Sequence, residues 1–184
     1  DRMVHIIEHV RMFAREAGKP ELSPVQVNSV VTSAVDMLGA QFRSRGLSLD
    51  TELAVEVPSV RANPFSLEEV LLNLLTNARD AVEAKDGDPE HPISRVLVRT
   101  KSLGSAPNQH AHIEVIDRGP GIPEEIIARV FDPFFTTKDP DKGTGLGLAI
   151  SKSIVEDFGG KLEIRSVPGE GTTAVITLPT TSEA

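Results

Sequence analysis

The residues best equipped for chemistry fall into three groups. Asn73 and Asn77 stand four apart on one helical stretch, followed closely by Arg79 and Asp80. About forty residues beyond Asn77 comes Asp117-Arg118-Gly119-Pro120-Gly121, and the third group is Lys138 with Gly143-Thr144-Gly145-Leu146-Gly147-Leu148. Glycines let a backbone approach phosphate and turn its N–H groups inward, and a helix starting directly after them points its positive dipole end at the anion. Asparagine is a poor helix-interior residue, so two of them one turn apart need a reason. Taken alone they would be a solvated stripe; beside the glycine runs they become candidate ligands. Neither common phosphate loop fits, because the second glycine run lacks a following Gly-Lys-Ser/Thr and comes after polar Lys138 to Lys142 rather than a strand.

Positioning these groups takes alternating helices and strands. Met3, Ile6, Ile7, Val10, Phe13, Ala14 and Ala17 recur at helical steps over Asp1 to Ala17, and Gly18 to Pro20 stop that helix. Its His5 and His9, four apart, read as a solvated pair, since no third metal ligand is near in sequence. A strand over Pro24 to Val27 leads to a helix through Val30, Val31, Ala34, Val35 and Leu38, capped by Asn28 or Ser29 and ended by Gly46. Alternation at Leu47, Leu49, Thr51 and Leu53 predicts a strand. A helix from Ser66 to about Ala84 opens on a Ser66/Glu69 capping box and places Glu69, Asn73, Asn77 and Asp80 beside its apolar face. Asp86 to Pro92 reads as a loop.

Strands are predicted over Arg95 to Lys101 and His112 to Asp117, joined by a turn at Gly104 to Gln109, with His110 and His112 on the surface. Ile122 to Val130 reads as a short helix entered through Pro123. Phe131, Phe134 and Phe135, three of seven phenylalanines, surround helix-breaking Pro133 and form at least a satellite cluster pinning a loop. A helix from Leu148 to Phe158 ends at Gly159 and Gly160. The last strands run Lys161 to Val167 and Thr173 to Leu178, joined by Pro168 to Thr172, and the polar tail after Pro179 reads as disordered.

Several of these motifs, in this order over roughly Leu22 to Pro179, resemble the ATP-binding catalytic domain of sensor histidine kinases. The resemblance implies a two-layer α/β sandwich, with a mixed, mostly antiparallel sheet and helices over one face. It divides the chain into 1–20, the end of the second dimerisation helix; 21–180, the catalytic ATP-binding domain; and 181–184, a tail. It implies Mg2+ and ATP as cofactors, with Asn77 as the magnesium ligand, Asn73 beside it, and Lys138 meeting the terminal phosphates. Asn73, Asn77 and Lys138 are the catalytic set, and Arg79 and Asp80 contact phosphate or ribose or are surface charge. Asp117 would accept a hydrogen bond from the adenine amino group, where guanine offers a carbonyl, and Thr172 would reach adenine through water. Gly119, Gly121, Ile122, Phe131, Thr137, Gly143, Thr144, Gly145, Leu146, Gly147 and Leu148 complete the nucleotide-binding set, and Arg118 stands where the family more often has Asn. The Phe cluster would anchor a lid over the nucleotide, with Asp139 to Lys142 mobile when the site is empty.

The implied reaction is transfer of the γ-phosphate to a histidine on a dimerisation domain, then to an aspartate of a response regulator, with the full-length protein a homodimer. Neither His5 nor His9 matches that phosphoacceptor. Two other readings stay open. An ATP hydrolase of the same fold would carry glutamate where this chain has Asn73, and an amide cannot serve as a base. A nucleotide-binding regulatory module would bind without transfer.

Composition sets limits. The 184 residues suffice for one domain with an appendage, and a hydrophobic share of 39% is ordinary for a globular chain. A formal net charge of −8 argues against nucleic acid, so an anionic nucleotide must be met locally, by Lys138, Lys142 or Arg79. The lack of cysteine excludes disulfides and thiolate chemistry and is compatible with a reducing cytoplasm. No apolar run approaches membrane-span length, so no membrane contact is expected of this fragment; any receptor part of a parent protein would lie elsewhere.

Overall fold

The computed structural model describes residues 21–85, 95–105, 108–138 and 143–181. The helix expected over Asp1 to Ala17 with His5 and His9, the loop at Asp86 to Pro92, and Asp139 to Lys142 lie outside the described residues. The elements run β1 (Ser23–Val25), α1 (Val27–Ser44), β2 (Ser48–Glu52), β3 (Val60–Ala62), α2 (Pro64–Lys85), β4 (Arg95–Leu103), β5 (His110–Asp117), α3 (Glu124–Ile127), α4 (Gly147–Asp157), β6 (Lys161–Val167) and β7 (Gly171–Pro179). Five strands form one sheet in the order β2-β4-β5-β7-β6, in which only β2 and β4 pair in parallel. Strands β1 and β3 form a separate antiparallel pair, and Val60 of β3 bridges to Thr180 beyond β7. This is the two-layer α/β sandwich expected, with helices on one face.

The sheet shows why one face takes the helices. Along β5, Ala111, Ile113, Val115 and Asp117 are buried, while His110, His112, Glu114 and Ile116 alternate with them, only half-buried. The inward row meets Val96 and Val98 of β4, Ala174, Ile176 and Leu178 of β7, and Leu162 of β6. The helical side of the core comes chiefly from α2, through Leu67, Val70, Leu71, Leu74, Leu75, Ala78 and Val82, together with α1, through Val27, Val30, Val31, Ala34, Leu38 and Phe42. Leu67, Leu71 and Leu75 are fully buried, each contributing roughly 2 kcal/mol of transfer free energy. The opposite sheet face carries paired charges instead, among them Arg99 with Glu52 and Glu114.

Several local readings are corrected. Strand β1 ends at Val25, and Val27 opens α1. Neither Asn28 nor Ser29 caps that helix; Gln26 holds the cap position, and the Asn28 side chain donates to the Ala54 carbonyl at 2.8 Å and accepts from the Thr100 hydroxyl at 2.8 Å. The Ala54 N–H in turn donates to Thr100 Oγ1 at 3.0 Å, which closes a partly buried polar ring and consumes the side chain that would have capped. Helix α2 begins at Pro64, and the cap is Asn63, whose Oδ1 accepts from the Ser66 N–H at 3.0 Å, so Ser66 is inside the helix. Helix α3 covers only Glu124–Ile127, and turns follow it. Strand β5 begins at His110, and β7 runs from Gly171, so Thr172 is strand rather than turn. His112 is half-buried and meets Thr177 Oγ1 at 3.1 Å; burial holds its pKa below the usual histidine value. Thr180 and Thr181 are hydrogen-bonded to Gln109 and Ser59.

Candidate functional site

Helix α2 starts after the Asn63 cap, and helical periodicity puts Asn73, Asn77 and Asp80 on one flank of it. Three separate segments come against that flank in succession. At Asn73, the backbone of Gly147 lies so close that an added Cβ would sit 2.4 Å from Asn73 Oδ1. The Asn73 amide donates to the buried hydroxyl of Ser151 at 2.8 Å. One turn on, the Lys138 ammonium donates to Asn77 Oδ1 at 3.0 Å and to Asp80 Oδ2 at 2.7 Å. At Ala81, Gly119 packs so tightly that a Cβ there would lie 2.9 Å from the alanine methyl. From Asn73 to Ala81 is about 12 Å along the helix at its ordinary rise.

The sheet end forms the second wall. Cross-strand register puts Asp117 of β5 opposite Thr172 of β7, and Thr172 opposite Ser166 of β6. All three stand on the helix-facing side, where the apolar rows Val115–Ala174–Ile164 and Ile113–Ile176–Leu162 give way to a polar one. Asp117 is buried, and its Oδ1 accepts from the N–H groups of Gly119 at 2.8 Å and Thr172 at 3.2 Å. Two glycines make this possible. A Cβ at Gly171, whose φ is 129°, would lie 2.1 Å from the Asp117 carbonyl, and one at Gly121, with φ of 72°, would lie 2.2 Å from that of Val167.

The third wall is the segment before α4. Phe134 has φ of 67°, costly for a bulky residue, and its N–H donates to the Gly145 carbonyl at 2.8 Å. Gly145 must be glycine, since a Cβ would fall 2.4 Å from the Phe134 carbonyl carbon. The first turn of α4 has no side-chain cap, so its leading backbone N–H groups are available to an anion.

The electrostatics centre on Asp80. Burial opposes its ionisation, but hydrogen bonds from Lys138 and Arg79 outweigh that and hold its carboxyl below the usual Asp value. Arg79 also donates to Gln41 of α1 at 3.0 Å, so its guanidinium braces Asp80 against α1. Of the other predicted residues, Ile122 donates its N–H to Ser166 Oγ at 2.8 Å, and Phe131 lies under the Lys152 ammonium. Thr144 Oγ1 accepts from the Leu146 N–H at 3.4 Å, Leu146 is buried and Leu148 half-buried, Gly143 packs on Thr136 Oγ1, and Thr137 is exposed. A cavity of about 310 Å³ between α2 and α4 takes in Asn73, Ser151 and Gly147, while Asn77 and Asp117 do not line it. Sequence reading passed over Ser166 and Ser151. Alternation Leu162–Ile164–Ser166 carries the signal for the first, but only the strand pairing shows what it faces.

The sequence profile described as histidine kinase-, DNA gyrase B-, and HSP90-like ATPase matches residues 62–182. The chain belongs to this family. Within the ATPase family it stands with the ATP-binding domains of sensor histidine kinases. It is 32% identical over 183 residues to the two-component sensor PprA of Pseudomonas aeruginosa, covering 100% of this chain and 19% of that protein. It is 36% identical over 178 residues to the C4-dicarboxylate transport sensor protein DctB of Rhizobium meliloti, covering 97% of this chain and 26% of that one. The chain therefore spans about a fifth to a quarter of these relatives. Among solved structures, the catalytic domain of histidine kinase ThkA superposes with a TM-score of 0.72 at 28% identity, over 88% of this chain and 97% of that one. Full-length ShkA, solved in complex with AMPPNP, gives 0.82 over 100% of this chain and 37% of that chain; at 24% identity this likeness is one of fold.

Among the described residues there is no group of three or more His, Cys, Asp or Glu side chains able to hold a metal. A magnesium ion, however, needs only one or two protein oxygens beside phosphate and water. Asn77 Oδ1 and Asp80 Oδ2 already converge on a cation, the Lys138 ammonium, so the donor set fits such an ion. No helix among the described residues is long and apolar enough to cross a membrane.

Proposed function

We propose that this chain is the ATP-binding catalytic part of a protein histidine kinase, which holds Mg-ATP while its γ-phosphate passes to a histidine on a dimerisation domain. The phosphoryl group then moves to an aspartate on a response-regulator receiver domain. The observation that carries the proposal is the order of contacts along α2: Gly119 and the sheet-end carboxylate at Ala81, Lys138 at Asn77, and the uncapped start of α4 at Asn73. A nucleoside triphosphate laid along that line has its base at Asp117, its phosphates at Lys138 and the glycines before α4, and its terminal phosphate toward Asn73.

In this reading Asp117 and Thr172 read adenine, and Gly119, Gly121 and Ile122 form the floor beneath the base and sugar. Asn77 holds the magnesium, with Asn73 beside it, and Lys138 turns from Asn77 and Asp80 to the phosphates. Gly143 to Leu148 wrap the phosphate chain, with Phe131 and Thr137 at the base of the flap, while Arg79 and Asp80 shape the edge. Bound magnesium would neutralise phosphate charge; the chain's own residues position the γ-phosphate for in-line attack. The histidine and its proton acceptor belong to the dimerisation domain; we assign residues 1–20 to the end of its second helix and 21–180 to the catalytic domain. The working protein is then a homodimer acting in the cytoplasm.

Asn73 argues for phosphotransfer over hydrolysis, because an amide cannot activate water. The test is calorimetric titration of ATP and GTP, with and without magnesium, on wild type and Asp117→Ala, followed by radiolabelled ATP with an added dimerisation domain. Tight, magnesium-dependent ATP binding lost in Asp117→Ala, and label on the partner's histidine, are the expected results. Equal affinity for both nucleotides would remove the adenine assignment, and steady hydrolysis abolished by Asn73→Ala would replace the kinase with an ATPase.

A further inference from the structure

The hydrogen bonds around Ser166 fix the direction in which a neighbouring proton points. A serine hydroxyl has one proton and two lone pairs. Ser166 Oγ donates its proton to the Gly171 carbonyl at 2.8 Å and accepts from the Ile122 N–H at 2.8 Å. Its remaining contact, with Thr172 Oγ1 at 2.9 Å, must therefore run from threonine to serine. The Thr172 proton is thus committed sideways along the sheet end, away from the space in front of the row. Beside it Asp117 Oδ1 accepts from two backbone N–H groups, so the carboxylate is an acceptor as well.

We infer that Ser166 is a specificity-determining positioning residue: by taking the Thr172 proton it makes the Asp117–Thr172 edge an acceptor-only surface, which favours a purine bearing an amino group and rejects one bearing a carbonyl. This rests on the reading of Asp117 and Thr172 as the base-recognising pair. A free threonine hydroxyl would let the water between it and the base turn to suit either one, donating to a carbonyl as readily as it accepts from an amine. The carboxylate alone would then carry the discrimination. Ser166 lies two strands away from Asp117, with Thr172 between them, so it acts on the base only through Thr172. Its contact with Ile122 also ties the loop after β5 to the end of β6, and the Gly169 N–H on the Pro120 carbonyl at 2.7 Å ties that loop to the turn between β6 and β7.

The experiment compares ATP with ITP, which carry amino and carbonyl groups respectively at the purine 6-position, by calorimetry on the full chain. Wild type is expected to prefer ATP. Ser166→Ala should lower the ATP-to-ITP affinity ratio by about fivefold, the scale of one redirected hydrogen bond, chiefly by improving ITP. Ser166→Thr, which keeps the oxygen, should retain the ratio. In a Thr172→Val background the Ser166→Ala effect should vanish, because there is no proton left to direct. Melting temperatures taken alongside separate loss of folding from loss of discrimination. If wild type does not discriminate, the adenine reading fails and this inference with it. If wild type discriminates but Ser166→Ala weakens both nucleotides equally, leaves the ratio unchanged, or still shifts it without Thr172, the inference alone is overturned.

Discussion

Two sides of the site, the sheet end as first wall and the Lys138 side as second, are built by different means. The sheet end is made by backbone register: Asp117, Thr172 and Ser166 are aligned because β5, β7 and β6 are aligned, and each is hydrogen-bonded within that row or to adjoining backbone. The Lys138 side is made by one long side chain crossing to α2, with an ammonium whose side chain is 33% exposed. A base can dock on the first wall with little rearrangement. Phosphates must take Lys138 from its present partners on the second. The difference is between a preorganised surface and an exchangeable one.

The most severe way to break the first wall is Gly171→Ala. A methyl 2.1 Å from the Asp117 carbonyl, at φ of 129°, cannot be accommodated without separating β5 from β7. We expect a loss of about 3 kcal/mol in urea unfolding, together with nucleotide binding. On the second wall, the nearest described atoms to a methyl at Gly143 are the Thr136 hydroxyl at 2.7 Å and the Lys138 stem at 3.3 Å, side-chain atoms that can turn aside, so Gly143→Ala should change the unfolding free energy by less than about 1 kcal/mol. Should the two glycines prove equally costly, the contrast between the walls is wrong.

A smaller, purely functional effect is expected from Lys138→Ala. Partly exposed ion pairs contribute little to stability, so melting should scarcely move, whereas ATP affinity should fall about tenfold and the affinity of adenosine not at all. A matching loss for adenosine would mean that the lysine holds up the fold of the site instead.

The smallest effect is one of pH. Asp80 has a folded pKa below its unfolded value, so its contribution is fully present above the unfolded value of 3.8 and is lost as pH falls through the folded one. Acid titration by NMR should show the Lys138 ammonium released only below the ordinary Asp range. Asp80→Asn should flatten that limb by slightly lowering stability at neutral pH, where the carboxylate contributes, and leave stability below the folded pKa nearly unchanged.

Much of this was legible in the residues, unevenly so. The phase of α2 was readable because helical periodicity carries Asn73, Asn77 and Asp80 to one flank whatever the cap, so mistaking Ser66 for Asn63 as the cap did not move them. Asn28 misled because an asparagine before an apolar run caps helices in general, and only tertiary structure brings Thr100 and Ala54 within its reach. Gly169-Glu170-Gly171 signals a turn that reaches Thr172, whereas pairing with Asp117 extends the strand across Gly171. The sheet-end row was invisible as a row, since its members are separated by long stretches of chain and meet only through register.

The bridge between Val60 and Thr180 has a mechanical consequence. The Thr181 N–H and hydroxyl both hold the Ser59 carbonyl, while β1, just past the start of the described chain, pairs with β3 on Val60 itself. Chain entering before Ser23 and chain leaving after Thr181 are therefore anchored to one small patch. Tension applied to either would load bonds to the one segment 59–62, at a corner that meets the five-stranded sheet through Thr180.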